Sequence, residues 1–142
     1  MSVASQNSKA VHAIKEIKGQ FRNNSLPVRI PNVDRYNCWG FVAFYFKWIP
    51  QAEWLDCDEM EEMLTCHTKA VTKPRNGDIV VFRKEDGFLT HTAVMLDKTQ
   101  ETVCHKPGYD PLCVESVHDV VKYYLYGQPS FRRLVPKVRS FA

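Results

Sequence analysis

The chain has 142 residues, a net charge of +3 and a pI near 8.6. That length suits one domain with a real core, and a hydrophobic fraction of 44% beside 25% charged residues excludes wholesale disorder. The slight basic excess suits an anionic partner such as a cell-wall polymer, but it is too small to point to nucleic acid.

Residues 1–8 are small and polar and are expected to fray, with no apolar stretch of the kind a signal peptide needs. Val11, Ile14, Ile17 and Phe21 recur at near-helical spacing, which predicts an amphipathic helix from about Ser8 to Arg22 with His12 facing solvent. Cys38 to Trp48 is apolar almost all round and predicts a buried helix that Pro50 stops. It contains Lys47 and is too short to cross a membrane, so no membrane insertion is expected. Asp56 to Thr68 predicts another helix, acidic outside and carrying Met60, Met63 and Leu64 inward; Lys73 to Gly77 reads as a turn. The period then changes to that of strands, over 78–83, 91–96, 101–105, 112–115 and 131–135. Between the last two, Ser116 and Asp119 form a capping pattern that starts a short helix closed by Gly127. Helices followed by strands predict an α+β fold: a buried helix and its neighbours on one face of an antiparallel sheet of about five strands.

The five cysteines (Cys38, Cys57, Cys66, Cys104, Cys113) show no regular spacing, so a disulfide framework is not expected and synthesis in a reducing cytosol is. Cys38 stands at the start of the buried helix and His91 at the start of a strand. A thiol at a helix N-terminus beside an imidazole is a nucleophile with its base. If Asp97 to Gln100 turn the chain symmetrically, Met95 faces Glu101, Ala93 faces Val103 and His91 faces His105. The two imidazoles then share one face, about 5 Å apart at Cβ. The expected catalytic line is Cys38 as nucleophile, its thiolate favoured by the helix dipole and an imidazolium; His91 as proton carrier; and His105 as the group that orients His91. The Cys38 N–H is expected in the oxyanion hole.

Four runs, in this order, resemble the NlpC-like cysteine peptidases, a papain-like branch that cuts bacterial cell-wall peptides: Asn37-Cys38-Trp39-Gly40-Phe41, Gly77-Asp78-Ile79-Val80-Val81-Phe82, His91-Thr92-Ala93-Val94-Met95 and Cys104-His105. Phe131-Arg132-Arg133-Leu134 is similar to the family's closing strand, so the likeness covers roughly Tyr36 to Leu134. The resemblance implies a single papain-like catalytic domain over 1–142. It also implies hydrolysis of an amide such as the γ-D-glutamyl–diaminopimelate bond of peptidoglycan, through a Cys–His–His triad and an acyl-enzyme. Asn37 and Trp39 stand where several members carry the Asp and Ser that hold a stem peptide's free amine, so Trp39 would reshape that pocket. Tyr36 has two readings, an oxyanion-site hydroxyl or a packing residue.

The spacing alone implies only thiol-based acyl transfer. A deamidase or acyltransferase toxin acting on a cytosolic protein is therefore a competing expectation, as is a non-enzymatic papain-like binding module of a phage or toxin system. Without export signals, release by lysis or a dedicated secretion machine is expected, with delivery machinery or an immunity protein as partner. Neither C-x-x-C nor H-x-x-x-H occurs, so no metal or cofactor is expected, and Cys57, Cys66, Cys104 and Cys113 read as structural. His67 and His118 near helix ends are given no chemistry. Tyr123, Tyr124 and Tyr126 read as core before groove. Asp78 reads as a turn or cap residue, and Arg132, Arg133, Lys137 and Arg139 as a solvated strand face and tail.

Overall fold

The computed structural model describes residues 36–136, together with Lys15 and the backbone of Arg29–Ile30. Lys15 apart, the helix expected over 8–22, with His12, lies outside the described residues, as do Lys137 and Arg139. The elements are β1 (Arg29–Ile30), α1 (Cys38–Tyr45), α2 (Cys57–His67), β2 (Thr68–Val71), β3 (Ile79–Arg83), β4 (Leu89–Asp97), β5 (Thr102–His105), β6 (Leu112–Ser116), α3 (Val117–Tyr124) and β7 (Gln128–Leu134). The fold is α+β, with seven strands in one sheet, ordered β1-β6-β5-β4-β3-β7-β2, and every neighbouring pair is antiparallel. The expected count of about five strands misses β1 and β2.

α1 starts at Cys38 because Asn37 caps it: the Asn37 Oδ1 accepts the Gly40 N–H at 2.8 Å. It ends three residues before the expected Trp48. Lys47 takes a left-handed backbone (φ 63°), its N–H bonds the Phe44 carbonyl at 3.0 Å, and the Trp48 N–H reaches back to Ala43 at 2.8 Å. This is a Schellman closure with a lysine where glycine is usual. α2 opens on a capping box that the sequence reading did not identify: Asp56 accepts from the Glu59 N–H while the Glu59 carboxylate accepts from the Asp56 N–H. α3 is capped by Ser116, whose hydroxyl accepts the Asp119 N–H at 3.1 Å, as expected. It ends at Tyr124 on a left-handed Leu125 (φ 56°), ahead of the expected closure at Gly127. Gly127 has φ +100°, and a Cβ there would stand 2.1 Å from the Arg83 carbonyl oxygen, so only glycine fits.

The helices do not share one face. Phe41, Val42, Met60 and Leu64 of α1 and α2 pack with Ile79, Val81, Val94 and Cys104 on one side of the sheet. Val117 and Val120 of α3 pack with Val80, Phe82, Ala93, Met95 and Val103 on the other. Because alternate residues of β3, β4 and β5 are apolar on both sides, these central strands read as continuous hydrophobic runs and require a layer on each face. Asp78 fixes the far edge. Its buried carboxylate takes a bidentate pair from Arg133 (2.9 and 2.8 Å) and also accepts the Arg75 N–H. Arg132 bonds the Thr68 hydroxyl and carbonyl. These two arginines are therefore strand clamps rather than a free basic face. Among the described residues no helix is long and apolar enough to cross a membrane.

Candidate active site

β4 runs through the centre of the site. Its ladder with β5 begins at Val94↔Cys104 and Met95↔Val103, two residues displaced from the expected register. The displacement arises at the turn: Glu101, expected in the strand, sits in it at φ 53°, and an irregularity separates Met95 from Asp97. His91 therefore does not face His105. The shift is even, so the faces are preserved and the two histidines become diagonal neighbours on the α3 side. Their rings still meet, with His91 Nε2 2.8 Å from His105 Nδ1.

The hydrogen-bonded line continues beyond the pair. His105 Nε2 lies 2.5 Å from Glu115 Oε2, which also accepts the Tyr124 hydroxyl at 2.8 Å and the Cys113 thiol at 3.3 Å. The register explains the convergence: Cys113 pairs directly with His105 across β5 and β6, and Glu115, two residues on, points to the same face. Tyr126 lies flat on His91, with centroids 4.0 Å apart and 9° between planes; Tyr124 stacks on Tyr126 and meets His105 edge-on. The Tyr126 carbonyl takes a hydrogen bond from Thr90, which fixes the loop that carries the ring. His91 and His105 are both buried.

Cys38 approaches β4 from the other face. The Thr92 hydroxyl donates to the Cys38 carbonyl at 3.2 Å, and the backbone amides of Thr92, Trp39 and Cys38 favour its thiolate. Thr92 follows His91 directly, so thiol and imidazole meet the same stretch of β4, beyond the last β4–β5 pair. Neither imidazole hydrogen-bonds the sulfur among the described residues, and His91 Nδ1 makes no hydrogen bond there either.

Electrostatics differ from the expected thiolate–imidazolium pair. Burial pushes the Cys38 thiol up to about 12 against those amides and nearby Lys106, so the sulfur rests protonated at neutral pH. Burial and the neighbouring His105 hold His91 well below its ordinary 6.5, so its ring rests neutral. Glu115 is pulled down to about 2, chiefly by its hydrogen bond from His105, and rests ionised. Tyr126 is raised to about 12, first by burial and next by Cys38. At rest the Cys38 thiol and the His91 ring are therefore both neutral, and the Glu115 carboxylate behind His105 is ionised.

The remaining candidates fall differently. Asn37 is buried and both ends of its amide are used internally: Oδ1 on the Gly40 N–H and, at 3.3 Å, the Leu55 N–H; Nδ2 on the Leu55 carbonyl at 2.7 Å. It holds the chain rather than a substrate. Tyr36 is a core residue, 2% exposed, with the Lys106 ammonium 5.5 Å from its ring centroid. Trp39 is half-buried against the same core, and its indole nitrogen is buried without a hydrogen-bond partner among the described residues. His67 stacks on Trp48, while His118 and Tyr123 are exposed.

Cys113, read as structural, joins the cluster around His91 and His105, as do Glu115, Tyr124 and Tyr126, and the Lys106 charge lies near Cys38. Cys113 and Glu115 carry a usable signal, since their alternation puts them on the face of His105 once the β5–β6 register is known. Among the described residues, His105, Cys113 and Glu115 are also the group whose ligand atoms (all within 4.8 Å of one another) could hold a metal ion. The missing C-x-x-C and H-x-x-x-H spacings that argued against a metal do not bear on this cross-strand trio. No protein-family model matches the chain, and no curated protein matches it in sequence.

Proposed function

We propose that the protein is a papain-like cysteine amidase or endopeptidase of NlpC type, with Cys38 as nucleophile, His91 as general base and acid, and His105 as the group that orients His91. The observation that carries this reading is the 2.8 Å contact between His91 Nε2 and His105 Nδ1, which leaves the Nδ1 of His91 uncommitted beside the strand segment that meets the thiol. A neutral imidazole and a protonated thiol suit general-base attack. His91 Nδ1 takes the thiol proton as sulfur bonds the carbonyl carbon. The oxyanion gathers on the N–H groups of Cys38 and Trp39 at the start of α1. The C–N bond then breaks, the amine leaves with the proton from His91, and a water deprotonated by His91 cleaves the thioester.

Peptidoglycan stem peptides are the favoured substrate class, from the resemblance of the four sequence runs. One observation favours a second substrate. With Asn37 committed to Leu55, the position used elsewhere to hold a stem peptide's free amine is spent, and a protein side-chain amide fits the same chemistry. Incubation with purified sacculi and, separately, with glutamine-containing proteins tests both. Released muropeptides identify the first substrate and ammonia release the second. Cys38→Ala is expected to fold normally and abolish turnover. A variant that keeps its activity overturns the assignment, and wild-type protein inert on every amide leaves the binding-module reading in its place.

A further inference from the structure

We infer that Glu115 is a positioning residue that sets the tautomer of both imidazoles, and so aims the His91 lone pair at the thiol; this rests on the reading of Cys38 and His91 given above. The inference follows from counting protons along the line. To accept a proton from Cys38, neutral His91 must carry its own proton on Nε2 and leave Nδ1 bare. Among the described residues that Nε2–H has one acceptor within reach, His105 Nδ1 at 2.8 Å, so His105 must be bare at Nδ1 and protonated at Nε2. What chiefly holds the proton there is the carboxylate 2.5 Å away, Glu115 Oε2, with the Cys113 sulfur at 3.2 Å a weaker second partner of the same nitrogen. Removing that acceptor frees the His105 proton to move to Nδ1, where it would donate to His91 Nε2 and reverse the polarity of the whole line. One carboxylate on β6 thus governs a lone pair two rings away on β4.

Among the described residues, the groups facing this line come from four elements and one loop. Glu115 and Cys113 come from β6, His105 from β5, His91 from β4 and Tyr124 from α3, with Tyr126 covering His91 from the loop after α3. The Tyr124 hydroxyl and the Cys113 thiol both donate to the oxygen that His105 uses, which keeps that oxygen pointed inward and ionised. The carboxylate side chain is 17% exposed and His105 is fully buried, so bulk water does not compete freely for the bond. The same three atoms have the chemistry of a metal site. Yet the 2.5 Å between imidazole nitrogen and carboxylate oxygen is a direct charge-assisted hydrogen bond, shorter than the roughly 3.3 Å that two ligands each about 2.0 Å from a tetrahedral ion must keep.

The test uses full-length protein with 15N-labelled histidine in a Cys38→Ala background, so that it does not depend on turnover. Long-range proton–nitrogen correlation reads which ring nitrogen carries hydrogen. Both rings are expected as Nε2–H tautomers at pH 7, and Glu115→Ala is expected to mix the tautomers of His91 as well as His105, although residue 115 does not touch His91. Should the alanine variant not fold, Glu115→Gln keeps the shape and removes the charge, and a smaller shift of both rings is expected. A His91 tautomer unmoved by either substitution overturns the inference. With Cys38 restored, Glu115→Ala is expected to lower kcat roughly 10- to 100-fold, the range seen when an outer partner of a functional histidine is removed, with KM little changed. An equal loss confined to KM overturns it. So does wild-type turnover that falls on chelation and returns with zinc, which would assign the trio to a metal. Wild type inert on all amides with Glu115-dependent tautomers would instead end the amidase reading alone.

Discussion

Asn37 is the residue whose replacement is most informative about how α1 is held. Its amide caps α1 at Gly40 and pins the 50–55 segment through both backbone groups of Leu55, a residue 4% exposed. In Asn37→Ala the cap is lost, at about 1 kcal/mol, and the Leu55 carbonyl and N–H are left buried without this partner, at about 1–3 kcal/mol for a fully orphaned group. The 3.3 Å contact is the weaker of the two and adds at most about 1 kcal/mol, so the sum is about 2–5 kcal/mol, a large share of the roughly 5–15 kcal/mol that stabilises an ordinary domain. Urea unfolding followed by tryptophan fluorescence reads this as a lower midpoint at unchanged slope. Asn37→Asp keeps the cap and the acceptor for Leu55 but turns an anionic oxygen toward the Leu55 carbonyl, so it should fall between wild type and alanine. A loss in Asn37→Ala below about 1 kcal/mol, or an aspartate variant less stable than the alanine one, refutes the reasoning.

Gly40 is predicted to tolerate no side chain: a Cβ would stand 1.7 Å from the Glu53 carbonyl oxygen, a backbone atom that cannot swing away. Gly40→Ala should cost at least about 1–3 kcal/mol in the same urea assay and depress activity by displacing Cys38; a wild-type midpoint would contradict it. The pH dependence of stability follows from two groups with the same sign. The unfolded His91 gains a proton below about 6.5 while the folded ring resists it, and the unfolded Glu115 gains one below about 4.5 while the folded carboxylate holds out to about 2. Stability should therefore fall as pH drops through 6.5, at up to about 1.4 kcal/mol per pH unit from His91 alone, and fall further between 4.5 and 2. His91→Gln should flatten the upper part of that slope. Denaturant midpoints at pH 7.5, 6 and 5 that decline equally in both proteins would refute the assignment.

The helices over 38–45 and 57–67 and the strands from 79 onward were legible because their periodicities are strong and their ends carry Asn, Asp, Ser, Gly or Pro. β2 was not, because Thr68-Lys69-Ala70-Val71 is short, exposed at its middle, and owes its strand to pairing with Arg132 and Arg133 of β7. The second face of the sheet was hidden for a related reason: a strand apolar on both sides looks the same whether one layer or two covers it. The meeting of His91 and His105 could be anticipated from residue type and place, yet the electrostatics of these rings and of Cys38 could not. The thiol's upward shift comes from how completely the core closes over it, and spacing along a chain carries no measure of that. Glu115 escaped notice because its role requires the β5–β6 register, which six irregular residues between the strands leave open.

Closure over Cys38 has a chemical consequence. Peroxides and alkylating agents attack thiolates, and a sulfur that stays protonated up to about 12 and is 8% exposed offers them little. The exposed Cys66 meets such reagents first. Dormancy toward stray electrophiles is thereby built into the resting form. The same apolar wall that delays ionisation keeps this sulfur reduced while more exposed thiols react.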